Sequence, residues 1–267
     1  MIILRTSAVD PAYEKCGLTD PALFGVSADM QGPSWGIWKT LMIAAMGEKL
    51  SSAERELFKR FSGGRDHEPN ERVDEFWGIV GRRSGKSRSA AVLAAYVGGL
   101  CEHKGLAPGE RGKVIVIAQN RDTASVIFRY VEALFDETPM LAGLIVSRTV
   151  ESLSLANGAD VEVRSASFRG IRGITALAVI ADETAFWFTE GDNSSNSDSE
   201  ILNAVRPALA TTGGPLITIS SPHGQSGEVY RAFKENFGPQ GDPRILVVNA
   251  SSRAFNDRRN QDSSDRR

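Results

Sequence analysis

The sequence predicts an α/β protein: a mainly parallel central sheet flanked by helices and carrying a β-hairpin insert. Three observations predict it. Short apolar, β-branched runs alternate with longer stretches of helical period through residues 76–250. Those runs are almost continuously apolar, as strands covered on both faces must be. One stretch of alternating polar and apolar residues, with Asn157-Gly158 at its centre, breaks the series and reads as a hairpin.

Taken in order, residues 1–50 form an N-terminal arm and helix. The first thirty mix Pro11, Gly17, Pro21 and Gly25 without a sustained period, whereas apolar residues recur at helical spacing from Trp35 to Met46. The core occupies 51–250. It opens with a helix over Ser52–Phe61, whose start is soft because Ser52 is followed only by Arg55-Glu56, and then a loop, SGGRDHEPNER. Strands are expected at Phe76–Val80, Lys113–Gln119, Leu177–Glu183, Pro215–Ser221 and Arg244–Ala250. Helices are expected at Lys86–Leu100, Arg121–Phe135, Asp198–Ala210 and Glu228–Phe237. Residues 149–167 supply the hairpin insert. GDNSSNSDSE, Gly191 to Glu200, reads as a mobile polar loop, and 251–267 ends in a low-complexity, disordered tail.

Composition narrows the function classes. A hydrophobic fraction of 41% against 24% charged residues fits a globular domain with a substantial core. The net charge of −2 gives no global basic field, although it leaves room for a local basic groove. Cys16 and Cys101, with His67, His103 and His223, are too scattered for a zinc site or a disulfide framework, and two unpaired thiols suit a reducing cytoplasm. No run approaches the ~18 apolar residues of a membrane span, so no membrane partner is expected.

The chemistry is concentrated in FWGIVGRRSGKSRSAA. Between an apolar strand and an Ala-rich helix stand Gly81, Arg82, Arg83, Ser84, Gly85, Lys86, Ser87 and Arg88. Backbone N–H groups of such a turn converge on anionic oxygens. Glycine lets the backbone approach, lysine reaches the β and γ phosphates, and the serine hydroxyl ligates magnesium. The spacing departs from the usual one, because the first glycine of that pattern falls on Val80 and Gly81 stands one place later. Arg82 is either a solvated turn residue or a group that reaches the γ phosphate within its own subunit; Arg83 reads as solvated.

LAVIADE ends a buried strand with Asp182 and Glu183. Neighbouring strand side chains point to opposite faces, which suits two tasks. Asp182 can hold Mg2+, directly or through water and Ser87, while Glu183 can orient and deprotonate a water. ITISSPHG places Ser220 and Ser221 at a third strand end, where open sheets bind ligands. In SASFRGIRGITA, Arg169 and Arg172 each precede a glycine on a basic loop; an arginine completing a neighbouring subunit's site is worth roughly 10³ to 10⁵ in rate. The base of a nucleotide has one candidate place, near Phe61 and Arg65, with ordinary side-chain contacts as the competing reading.

Together, VGRRSGKS, FRGIRG shortly before LAVIADE, and ITISSPHG resemble the ATPase domain of the large terminase subunit of tailed bacteriophages, over roughly Glu54 to Ala250. The resemblance implies a P-loop NTPase of the ASCE type and accounts for an arginine inside the phosphate loop. It implies Walker A roles for Lys86 and Ser87, Walker B roles for Asp182 (magnesium) and Glu183 (catalysis), and a loop arginine at Arg82. It also implies a trans-acting finger at Arg172 and a coupling motif at Ser220-Ser221; the Gln119-Asn120-Arg121 turn is similar to a segment after the helicase-like motif Ia. The implied activity is an ATP-driven, DNA-stimulated viral motor that moves double-stranded DNA into a procapsid in the host cell cytoplasm. Its implied partners are the portal protein and the small terminase subunit, and its implied assembly is a pentameric ring, the isolated domain being monomeric. NASSRAFNDRR resembles the start of an interdomain linker. A C-terminal nuclease domain, usual in that family, has no counterpart in this sequence, so no nuclease activity is expected from it. Two other functions compete: a helicase-like or other DNA-remodelling ATPase, and a nucleotide-dependent assembly switch.

Overall fold

The computed structural model describes residues 33–103, 106–166, 173–187 and 198–255. In chain order these form α1 (Pro33–Ala45), α2 (Ser52–Phe61), β1 (Glu75–Val80), α3 (Lys86–Ala95), β2 (Gly112–Ala118), α4 (Arg121–Glu137) and α5 (Pro139–Ala142). Then come β3 (Ile145–Arg148), β4 (Ser152–Leu155), β5 (Ala159–Ser165), β6 (Ala176–Asp182), α6 (Asp198–Ala210), β7 (Leu216–Ser220), α7 (Gly227–Asn236) and β8 (Ile245–Ala250). The eight strands make one sheet in the order β3-β4-β5-β2-β6-β7-β1-β8. All pairs from β5 to β8 are parallel, and only β3-β4 and β4-β5 run antiparallel. β7 lies between β1 and β6.

The apolar runs divide between two cores because successive side chains take opposite faces. Val114 and Val116 of β2, with Ile180 of β6 and Leu246 and Val248 of β8, join α1, α2, α3 and α4 on one face. Ile115, Ile117, Val179, Ala181 and Val247 join α6 and α7 on the other. Every residue of β6 is buried. In β5, by contrast, burial alternates: Val161 and Val163 enter the first core while Asp160, Glu162 and Arg164 take the other face.

The hairpin is therefore an extension of the sheet, since β5 pairs in parallel with β2 from Gly112 opposite Ala159 to Ala118 opposite Ser165. Its edge strand β3 carries no strand signal recognised in the sequence. Helix α2 starts as expected, but its cap is Ser51: the Ser51 hydroxyl and the Glu54 carboxylate complete a reciprocal capping box. The expected helix Lys86–Leu100 is α-helical to Ala95 and finishes as a π turn, Tyr96–Leu100. The side chain of Cys101 is buried, which pushes its thiol up to about 12. No helix among the described residues is long and apolar enough to cross a membrane. The arm 1–32, the tail 256–267 and most of the polar loop lie outside the described residues; Asp198, Ser199 and Glu200 open α6.

Candidate nucleotide site

Because β1, β6 and β7 are parallel, their carboxyl ends meet on one side of the sheet, and the loop after β1 lies there. Gly81 begins that loop and donates its N–H to Ala250 O at 3.2 Å. Its Cα lies so close to the turn after β8 that a Cβ would come within 2.1 Å of Ser252 Oγ and 2.7 Å of Ser252 N. Only glycine fits. Gly85 takes the left-handed conformation, φ 87°, and leads directly into α3. Arg83 also has positive φ, 60°, so the turn is held in a sparsely populated shape.

What holds it is α1. The Trp38 indole N–H donates to Ser84 O at 2.7 Å, and Trp35 lies against Gly85. Trp38 in turn packs at a tilt against Phe255, ring centroids 4.8 Å apart, within the short turn Ser252–Phe255. Neither tryptophan was a sequence candidate; they stand about fifty residues upstream, and their spacing reports only a buried helical face.

Lys86 is buried. Its Nζ donates to Val80 O (2.9 Å), Gly81 O (3.3 Å) and Ser221 Oγ (3.0 Å), and lies 3.5 Å from Glu183 Oε1. Glu183 does not continue β6 as an extended residue. Its backbone is left-handed, φ 49° and ψ 43°, while its N–H donates to Ile219 O at 2.7 Å. This turn aims the carboxylate at β7, where Oε2 accepts from Ser221 N (2.8 Å) and Oε1 from Ser221 Oγ (3.1 Å). Ser220 Oγ accepts from Ala185 N at 3.1 Å and so fixes the turn that follows Glu183.

Asp182 points the other way, into the protein, and is 4% exposed. Its Oδ1 is buried without a hydrogen-bond partner. Burial above all, with the Glu183 charge adding to it and Lys86 opposing, pushes its carboxyl up to about 7. An unsatisfied buried carboxylate oxygen beside a phosphate loop fits a Mg2+ ligand, with the half-buried Ser87 in the first turn of α3 as second protein donor. Among the described residues no three His, Cys, Asp or Glu side chains gather, so phosphate oxygens and water would supply the remaining ligands.

The arginines divide. Arg82 is exposed at the mouth, its guanidinium 5.8 Å from the Phe186 ring, which in turn lies 4.6 Å from the His223 ring. Arg83 is also exposed. Arg88 sits over Trp35 (5.3 Å) and Tyr130 (5.7 Å). Arg169 and Arg172 lie outside the described residues. At Phe61 and Arg65, the candidate place for a base, the contacts are those of ordinary packing. Arg65 is buried and its guanidinium donates to Gly238 O, Asn236 O, Asp242 O and Ile245 O, while Phe61 packs at a tilt against Phe255. Both tie the α2 region to β8 and the turns that flank it.

With this geometry in view, the fold can be compared with known ones. No family model and no curated protein matches the sequence. Two structures of the large terminase ATPase domain of Thermus phage P74-26, one of them a point mutant, do match in backbone. Their TM-scores are 0.56 and 0.55, each at 20% identity, covering 82% and 84% of this chain and 93% and 90% of the matched ones. The chain has the fold of a large-terminase ATPase domain. At this identity the shared terminase fold concerns backbone, and the chemistry rests on the side chains described above.

Proposed function

We propose that this protein is the ATPase motor domain of a viral terminase, hydrolysing ATP to translocate double-stranded DNA into a procapsid. One observation carries the reading: Lys86 and Glu183 converge to 3.5 Å across an inserted strand, in a chain with the terminase ATPase fold.

In the proposed reaction the N–H groups of the loop and the start of α3 cradle the phosphates, and Lys86 reaches the β and γ groups. Glu183 accepts the proton of a water whose oxygen attacks the γ phosphorus, as the bond to the β–γ bridging oxygen breaks. Asp182 and Ser87 would hold Mg2+, which supplies positive charge against the phosphate oxygens. Arg82 adds charge from the same subunit and Arg172 from a neighbour. Ser220 and Ser221 carry the change at the phosphate into β7. Double-stranded DNA, the portal protein and the small terminase subunit are the partners of this reading, a pentameric ring in the host cytoplasm its assembly, and DNA its stimulant.

The test is ATP turnover with and without double-stranded DNA, in wild type and Lys86→Ala. DNA-stimulated turnover that the substitution abolishes supports the reading, and wild-type turnover in Lys86→Ala refutes the phosphate-loop assignment. A forked duplex must stay paired; strand separation would move the protein to the helicase-like class. For the finger, Arg172→Ala subunits mixed with Glu183→Gln subunits should recover part of the lost turnover at shared interfaces. Confirmed assembly without any recovery excludes Arg172 from that role.

A further inference from the structure

Two points of the phosphate loop rest on one short turn that the chain reaches only after β8. Gly81 and Ser84 stand three residues apart in the loop, and Ser252 and Phe255 stand three apart in a single 3₁₀ turn. Gly81 meets that turn directly: its N–H donates to Ala250 O at 3.2 Å, and Ser252 leaves no room for a Cβ. Ser84 meets it through Trp38, whose indole N–H donates to Ser84 O at 2.7 Å and whose ring centroid lies 4.8 Å from that of Phe255. Ser84, Trp38 and Phe255 are all buried, so a shift of one is passed to the next by close packing.

The loop between those two points needs holding. Arg83 has φ 60° and Gly85 φ 87°, and a loop freed from its supports would relax toward commoner shapes. An anion would then have to order it again on binding, at a loss of affinity. Phe255 is a firm support because Phe61 of α2 lies on it as well, ring centroids 5.5 Å apart. The turn that carries it is closed by the Ala254 N–H donating to Ser251 O at 3.1 Å, and residues 256–267 follow directly. Resting on the phosphate-loop reading, we propose that Ser252 and Phe255 are positioning residues of the loop, and that they couple nucleotide binding to the placement of the chain after Phe255. A pull on that chain that draws Phe255 off Trp38 loosens the hold on Ser84 O and lets the loop relax. A bound triphosphate fixes the loop, and with it Trp38 and the turn. The coupling runs equally in both directions, as binding linkage requires.

Titration with the nonhydrolysable analogue AMP-PNP and Mg2+ should show about 3- to 10-fold weaker binding in Phe255→Ala and in Trp38→Phe, which keeps an aromatic ring and loses the N–H. The double variant should be no weaker than the larger single, because both break one chain of contacts. Phe135→Ala empties an equally buried site in α4, against Gly99 beyond the end of α3. It should lower the urea midpoint as Phe255→Ala does and leave the affinity unchanged, which separates positioning from stability. In the other direction, AMP-PNP should slow amide hydrogen exchange in residues 251–255 as well as in 81–88, and the slowing at 251–255 should shrink in Trp38→Phe. Wild-type affinity in both Phe255→Ala and Trp38→Phe, or slowing at 81–88 with none at 251–255, overturns the coupling and leaves the phosphate loop standing. An affinity loss in Phe135→Ala as large as that in Phe255→Ala overturns it too. Wild-type affinity in Lys86→Ala overturns the phosphate-loop reading itself.

Discussion

The hairpin edge of the sheet and the carboxyl-end face of its middle strands handle charge in opposite ways. Along β2 and β5, Arg111 meets Asp160 at 2.8 Å, and Lys113 and Arg164 meet Glu162 at 2.9 and 2.6 Å. At the carboxyl-end face Asp182 is more buried than any of these, yet one of its oxygens has no partner and its carboxyl is pushed up to about 7. Ser84 Oγ and Ser89 Oγ are likewise buried without a hydrogen bond on either side of Lys86. Burying a polar group unsatisfied costs roughly 1–3 kcal/mol, which a bound ligand would offset. The edge is satisfied by its own side chains; the face keeps donors and acceptors in reserve.

The largest expected effect breaks this contrast at its centre. Lys86→Ala should lower ATP turnover by about 10³-fold or more, since the reading gives that ammonium to the transferred phosphate. Lys113→Ala, which removes a lysine bonded to a single carboxylate at the edge, should leave turnover within about twofold, because its partner Glu162 serves only the sheet and keeps Arg164. Comparable losses in both, measured in one ATPase assay, would erase the distinction between face and edge.

Stability should divide along the same line. Ile180 is fully buried in the middle of β6, and Ile180→Ala is expected to cost about 2–5 kcal/mol in urea unfolding. Val146 on β3 is 67% exposed, and Val146→Ala should stay within about 0.5 kcal/mol. An effect above about 1 kcal/mol at Val146 would mean that the edge strand is covered in solution.

How much of this was legible depends on the range of the cause. Runs such as KVIVIAQ announce buried strands because their apolar composition is the packing requirement itself, and α6 was read to the residue. The capping box Ser51-Ser52-Ala53-Glu54 is equally local: the helix starts at Ser52 as its period predicts, and Ser51 with Glu54 caps it. β3 was illegible for a physical reason: its residues are half-buried or exposed, so no periodic burial writes itself into four positions. At the site, residue types were readable and their geometry was not. Nothing near Glu183 in sequence says that its backbone turns left-handed or that its carboxylate reaches Ser221, thirty-eight residues on. The same holds for Arg65, whose four carbonyl acceptors lie more than 170 residues away.

The smallest expected effect sharpens the contrast from the N-terminal bracket, where a carboxylate is fully satisfied. Glu68 accepts two parallel bonds from Arg55, at 2.9 and 2.8 Å, and one from Leu50 N at 2.9 Å. The Arg55 hydrogen bond, outweighing burial, draws its carboxyl down to about 2 from an ordinary 4.5. The folded value lies below the unfolded one, so the unfolded chain binds the proton more tightly. The resulting stabilisation is complete above pH 4.5 and is lost as the pH falls through about 2. Allowing for solvent around Arg55, it should amount to about 1–2 kcal/mol. Asp182 is shifted in the opposite direction. Urea midpoints of wild type and Glu68→Gln should therefore differ at pH 6 and converge towards pH 2.5. A gap that stays constant over that range would show that the pair contributes through shape alone, and that its charge does nothing for the fold.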